Sequence, residues 1–154
     1  MDIFLENFIN DKFKKPGKAL DLGAGKFFDV ACLKQLGWEA YGVDKLSGTN
    51  LDEPFLSDKK PFDLVYSNYL LHKLKNKEVL IQTAYDNLKN GGWLFINAMD
   101  KSNKTSFSDI TAPEMEKILR KIGFKNIYSK KISFFDNAFG HRHWHKVLQI
   151  TASK

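Results

Sequence analysis

The segment ALDLGAGKFFDV, residues 19–30, limits the fold more than any other stretch of the chain. Ala19–Leu22 reads as a short buried strand, Gly23-x-Gly25 as a tight turn, and residues 26–36 as a helix ending near Gly37. Glycine permits such a turn and lets a ligand approach the backbone closely. A strand that runs into a helix in this way needs further strands beside it, because one βα unit cannot bury its own sheet face. The next strand signal follows at once, in EAYGV (Glu39–Val43), and it ends at Asp44.

The alternation continues. Residues 3–13 place Ile3, Phe4, Phe8, Ile9 and Phe13 at helical spacing, and Pro16-Gly17 stops that helix. FDLVY (Phe62–Tyr66) is a third strand. Residues 77–89 form an amphipathic helix closed by Gly91-Gly92, and WLFIN (Trp93–Asn97) is the next strand. Thr111 and Glu114 have capping-box spacing and Pro113 suits a first turn. Met115, Ile118, Leu119 and Ile122 then share a helix face up to Gly123. Two late strands, about 126–134 and 142–152, are joined by DNAFG, too short for a helical crossover, so they pair antiparallel.

These elements predict one α/β domain over residues 1–154, with residues 1–15 an N-terminal helix and a candidate lid. Its sheet is Rossmann-like, doubly wound and mostly parallel, with a final antiparallel strand. Only seven residues separate Asp44 from Asp52, whereas a helical crossover takes about a dozen. The sheet is therefore shortened between its second and third strands, and TNLD is either a vestigial edge strand or a loop.

Composition narrows the setting. No apolar run approaches the ~20 residues of a membrane span. The acidic start MDIFLENFIND does not read as a secretory signal, and the single Cys32 suits a reducing cytoplasm, so the expected location is cytoplasmic. The net charge of +6 raises nucleic acid as a partner, yet only Arg120 and Arg142 of the 24 basic residues are arginines. Arginine is the residue best suited to bidentate reading of bases and phosphates, so a solvated lysine surface is the favoured reading and nucleic acid the lesser one.

The glycine turn and Asp44 together point to a nucleoside, since an acid at the end of the second strand accepts ribose hydroxyls. A dinucleotide fingerprint would place glycine at position 28, where this chain has Phe28. Asp21, two residues before the first glycine, repels a pyrophosphate and welcomes an ammonium. S-adenosylmethionine carries an ammonium and a ribose and no phosphate, so the local charge favours it.

In this order, LDLGAG, YGVD, PFDLVYSNYLLHKL and LKNGGWLFI resemble the class I S-adenosylmethionine-dependent methyltransferases, from about residue 18 to the end. NGGWLFINAMD and VLQITASK are similar, more loosely, to the small tellurite-resistance type. The resemblance implies that Asp21, Gly23 and Gly25 surround the methionine part of the cofactor and that Asp44 binds the ribose. It implies that Asp52 accepts from the adenine amino group and that Ser67 and Asn68 line the floor near the reactive methyl. Beside these roles stand plainer ones: Asp52 capping a turn, Asn68 capping the following helix. The family's third glycine is here Phe27, whose ring can pack under the helix start. Lys26 either reaches the cofactor carboxylate or is solvated.

His141, His143 and His145 alternate, and on a strand they share one face. The strand before them ends on the ligand-bearing rim, which makes His141 and His143 candidates for base or orienting group; the alternative is a polar strand end in solvent. His72 is a floor residue or a turn residue. A three-histidine metal site is the lesser reading, and no metal is expected. With the chain consumed by a cofactor-binding core, the expected acceptor is a small molecule. An RNA or protein methyltransferase and a non-catalytic cofactor-binding module are the alternatives.

Overall fold

The structure is a computed structural model and describes residues 1–105, 107–136 and 142–154. Its elements in chain order are α1 (Ile3–Lys12), β1 (Lys18–Leu22), α2 (Phe28–Gln35), β2 (Glu39–Val43), β3 (Phe62–Asn68), α3 (Lys77–Asn87), β4 (Leu88–Met99), α4 (Ala112–Ile122), β5 (Lys125–Asp136) and β6 (His143–Ser153). The strands form one six-stranded sheet in the order β2-β1-β3-β4-β6-β5. β2, β1, β3 and β4 are parallel, and β6 is antiparallel to both β4 and β5. This is the doubly wound α/β sheet expected from the sequence.

Each face of the sheet carries its own helices. On one, Leu5 and Ile9 of α1 and Val30 and Leu33 of α2 pack on Ala19, Leu64, Tyr66 and Phe95. On the other, Leu80 and Ile81 of α3 and Met115 and Leu119 of α4 pack on Leu20, Leu22, Val65, Leu94 and Ile150. Burial on both faces is why the central strands read as continuous apolar runs. The connection from β1 goes to β2 on one side and the chain then returns to β3 on the other. The sheet order reverses at β1, and the crevice at the carboxyl ends of β1 and β3 is where such sheets bind ligands.

Between β2 and β3 there is one 3-10 turn (Lys45–Ser47) and then loop; TNLD forms a turn rather than an edge strand. Two local expectations are corrected. The helix α3 ends at Asn87, and Gly91-Gly92 lies within β4. The buried Asn87 side chain ends the helix by donating to the Phe55 and Thr83 carbonyls and accepting from the Ser57 amide. The glycines instead serve a register shift between β3 and β4: a Cβ on Gly92 would lie 3.0 Å from the carbonyl oxygens of Lys89 and Phe62. The second correction is at α4, where Thr111 makes no side-chain cap bond. Pro113 occupies the second helical position and has no N–H, which removes one of the two amides such a cap can use.

The substitution of phenylalanine for the third glycine is accommodated by the backbone. Phe27 takes a left-handed conformation (φ 62°) as the N-cap of α2, and its ring packs against the cluster under α1 and α2. Space for it comes from Gly42 in β2, where a Cβ would stand 2.7 Å from Ala24 Cβ, 2.9 Å from Val30 Cγ2 and 3.0 Å from Phe27 Cε1. Gly42→Ala is therefore expected to destabilise the protein by about 1–3 kcal/mol through overpacking, read as a lowered urea midpoint with unchanged slope.

Candidate active site at the carboxyl ends of the strands

After β1 the chain turns sharply over the end of β2. The amides of Gly23 and Ala24 donate to the Val43 carbonyl at 2.8 and 3.0 Å. Both glycines have positive φ, 94° at Gly23 and 51° at Gly25, but their surroundings differ. A Cβ on Gly23 would strike Leu70 Cδ2 at 2.6 Å, whereas one on Gly25 would meet nothing within 4 Å. Gly23 is thus a packing glycine, and Gly25 borders open space that a ligand can enter. The Gly25 amide donates to Asp44 Oδ2 at 3.1 Å, and the Leu46 amide donates to Asp44 Oδ1 at 2.9 Å. These two bonds hold the Asp44 carboxylate at the mouth of the loop.

Asp44 and Asp52 line one cleft of about 190 Å³, with Leu51, Leu70, Lys73 and Leu74. Asp52 accepts the Lys75 amide on Oδ1 at 2.7 Å, so the turn-capping contact is present, and Oδ2 remains for a ligand.

Asp21 is 4% exposed, and among the described residues its Oδ1 accepts no hydrogen bond; the buried Tyr66 hydroxyl on the neighbouring strand lies beside the carboxyl and partly offsets its burial. Burial pushes the Asp21 carboxyl up to about 8, and the charges of Asp29 and Asp44 add to the shift. A carboxyl in this state is suited to receive a cation that restores its ionised form.

A chain of polar side chains runs from there across the ends of β3, β4 and β6. Asn68 Nδ2 donates to Asp29 Oδ2 at 2.9 Å, and Asn97 Nδ2 lies 3.3 Å from both Asn68 Oδ1 and Asp2 Oδ1. Gln149 Nε2 donates to Asn97 Oδ1 at 3.4 Å, and the Tyr69 hydroxyl donates to Asp2 Oδ2 at 3.3 Å. Asp2 also caps α1 by accepting from Phe4 and Leu5, so this helix starts on the rim. Asp2, Asp29, Tyr69, Asn97 and Gln149 were not singled out by the sequence reading. Only Asp2, as a cap residue ahead of an apolar helix, and Asn97, as a polar residue ending WLFIN, left a local signal.

The remaining expected site residues sit as follows. Ser67 is buried and donates to the Leu22 carbonyl at 2.7 Å, tying β3 to the last residue of β1. Lys26 is exposed on the glycine loop. His143 opens β6 with its ring 4.4 Å from that of His145, centroid to centroid. His145 lies 3.6 Å from Asp136 and 3.3 Å from Thr105 and packs on Phe134. His141, together with most of DNAFG, lies outside the described residues. His72 Nδ1 accepts from the Met99 amide, and burial lowers its pKa to about 4, so it is a neutral imidazole tethering the turn after β3 to the end of β4. Among the described residues no group of three His, Cys, Asp or Glu side chains is placed to hold a metal ion.

A family model described as a methyltransferase domain matches residues 2–146. The chain belongs to that family. No curated protein matches it at the sequence level. Among solved structures, an S-adenosylmethionine-dependent methyltransferase from Mesorhizobium loti superposes with a TM-score of 0.76 at 15% identity, over 96% of each chain. The 1,6-didemethyltoxoflavin N1-methyltransferase of Burkholderia thailandensis, solved with 1,6-didemethyltoxoflavin and S-adenosylhomocysteine, gives 0.71 at 19% identity, over 96% of this chain and 75% of that one. Phosphoethanolamine N-methyltransferase 2 of Haemonchus contortus, solved with S-adenosylmethionine, gives 0.72 at 17% identity; this chain spans about half of it, 51%, with 97% of its own length. These likenesses establish the fold, which is that of the S-adenosylmethionine-dependent methyltransferases.

The Asp21 carboxyl has a consequence for the ligand-free protein. Its folded pKa of about 8 lies above the ordinary value of 3.8, so the folded state holds a proton that the unfolded state releases as pH rises between those values. Its contribution is favourable to folding at low pH and is lost toward pH 8, at up to about 1.4 kcal/mol per pH unit. Thermal melts from pH 5.5 to 8.5 should therefore fall with pH, and Asp21→Asn should flatten the profile.

Proposed function

We propose that the protein transfers a methyl group from S-adenosylmethionine to a small-molecule acceptor. The observation that carries this reading is the buried Asp21 carboxyl, its Oδ1 without a hydrogen bond, next to a loop whose Gly25 borders open space, with the Asp44 carboxylate anchored at its mouth. These residues fit the cofactor's chemistry. Asp21 would receive the ammonium, Asp44 the ribose hydroxyls and Asp52, through Oδ2, the adenine amino group. Lys26, exposed on the loop, is assigned to the cofactor carboxylate. When bound, the cofactor supplies a methyl carbon activated by its positive sulfur.

The chain's own part is to hold the acceptor in line with that carbon and keep water out. Ser67 secures the floor by fixing the end of β3 to the end of β1. Asn68 and Asn97 present amides at the carboxyl ends of β3 and β4, and α1 closes over them through Asp2. His143 and His141, two residues before it, are assigned as base or orienting group for a protonated acceptor. A small acceptor is favoured over nucleic acid because Lys12, Lys18, Lys77, Lys89, Lys121 and Lys131 are each paired with an acid. A metalloid acceptor is one class to test, on the loose sequence resemblance of NGGWLFINAMD and VLQITASK to the small tellurite-resistance type.

Calorimetry with S-adenosylmethionine, S-adenosylhomocysteine and NAD tests the cofactor. The first two are expected to bind and NAD is not. Binding at pH 7 should release close to one proton, seen as a dependence of the measured heat on buffer ionisation enthalpy, because the incoming ammonium ionises Asp21. NAD binding alone would overturn the assignment. For the chemistry, His143→Ala should lower turnover of a protonated acceptor by about 10²-fold or more while cofactor affinity stays unchanged; full turnover would remove His143 from the mechanism.

A further inference from the structure

A groove of about 690 Å³ lies between α1 and the sheet face formed by β4, β6 and β5, away from the cofactor cleft. It shares no lining residue with the cleft that holds Asp44 and Asp52. Its volume is within the range of about 300–1,000 Å³ typical of small-molecule sites. Here α1 crosses the sheet obliquely. Phe4 reaches Phe134 of β5 near the rim, but further along Phe8 packs on Trp93 and Phe95 of β4. The part of the face bearing Tyr128, Lys130 and Thr151 therefore stands opposite the groove rather than under a helix.

The lining combines aromatic rings with an unbalanced positive charge. Trp93 and Phe8 form one side, and Tyr128, 59% exposed, the other. Thr151 and Gln149 lie at the base, 8% and 7% exposed. The one acid, Asp11, is paired with Lys12 at 2.9 Å, and Lys12 also sits 5.1 Å from the Trp93 ring centroid. Lys130 has no acidic partner among the described residues, unlike its neighbour Lys131, which pairs with Asp100. Flat hydrophobic walls, a hydroxyl and an amide at the base, and one uncompensated ammonium select a ring system that bears a negative group.

We propose that this groove is a second ligand site and that it takes a planar aromatic anion such as an aromatic carboxylate. The ring lies against Trp93, Phe8 and Tyr128, the carboxylate pairs with Lys130, and Thr151 and Gln149 orient it. None of the residues lining the cleft of Asp44 and Asp52 takes part; Gln149, which also donates to Asn97, is the one link between the groove and the amide chain on the rim.

The test is an NMR titration of the full chain with 2-naphthoate, following the indole N–H of Trp93, assigned by its loss in Trp93→Phe. A saturable shift at Trp93 is expected, with little change at Trp38 and Trp144. Lys130→Ala should weaken binding at least about fivefold, Lys130→Arg should retain it, and neutral 2-naphthamide should bind more weakly than the acid. No saturable shift, a shift centred on Trp38 or Trp144, or equal affinity for Lys130→Ala would overturn the proposal. Adding methyl-labelled S-adenosylmethionine separates two sources for such a ligand. No label on 2-naphthoate is expected, which marks an effector; a labelled product would place the molecule beside the cofactor and overturn the groove as a separate site. Cofactor affinity measured in parallel keeps a failure here distinct from a failure of the methyltransferase reading.

Discussion

A buried carboxyl with an oxygen left without a hydrogen bond is costly unless it is neutral or meets a cation. The rim of this protein is organised around one. Asp21 is held inside the sheet because β1 is flanked by β2 and β3 and covered by helices on both faces. Asp29 and Asp44 beside it add negative charge, and the Tyr66 hydroxyl relieves it only in part. A pyrophosphate brought to this place would meet three acids and no compensating arginine. A ligand with an ammonium would relieve them. The ligand class therefore follows from electrostatics, and the glycine loop decides only how closely that ligand can approach.

The loop solves a steric problem posed by its own sequence. Phe27 stands where the family often has glycine, in a left-handed conformation that costs a residue with a Cβ about 1–2 kcal/mol. The offset is hydrophobic: its ring enters the cluster beneath α1 and α2, through a gap kept by Gly42. A glycine on β2 has taken over part of the burden of a glycine on the loop. The open side of the turn is left to Gly25, so the departure at position 27 falls on the packed side of the loop and away from the ligand.

What could be read from the sequence and what could not divide along a physical line. The strands, the helices and the antiparallel ending were legible because burial on both faces leaves apolar runs, and helix faces leave a 3.6-residue period. The gathering of Asp21, Gly23, Gly25 and Asp44 at one end of the sheet was legible because the acid and glycines lie within five residues and Asp44 ends the next strand. The amide chain of Asn68, Asn97 and Gln149 was not, because it is assembled from three strands and no spacing along the chain encodes it. Two local signals misled for want of tertiary context. Gly91-Gly92 looked like a helix stop and instead admits a bulge, while Thr111 had the right spacing for a cap but faces a proline that lacks the donor.

The short link between β2 and β3 has the widest effect on function. A helix in that position would cover the side of the cleft lined by Leu51 and Asp52, which the proposed function gives to adenine. Here a 3-10 turn capped by Asp44 leads directly into the loop that carries Leu51 and Asp52. The same carboxylate thus caps the turn on one oxygen and accepts the Gly25 amide on the other. Asp52 in turn is pinned by the Lys75 amide, beyond β3. With no covering helix, the geometry of the cleft rests on these few carboxylate-to-amide bonds. The glycine loop and the 3-10 turn are coupled through Asp44, so a ligand that engages this carboxylate, as the proposed ribose does, also acts on the turn that leads to Asp52.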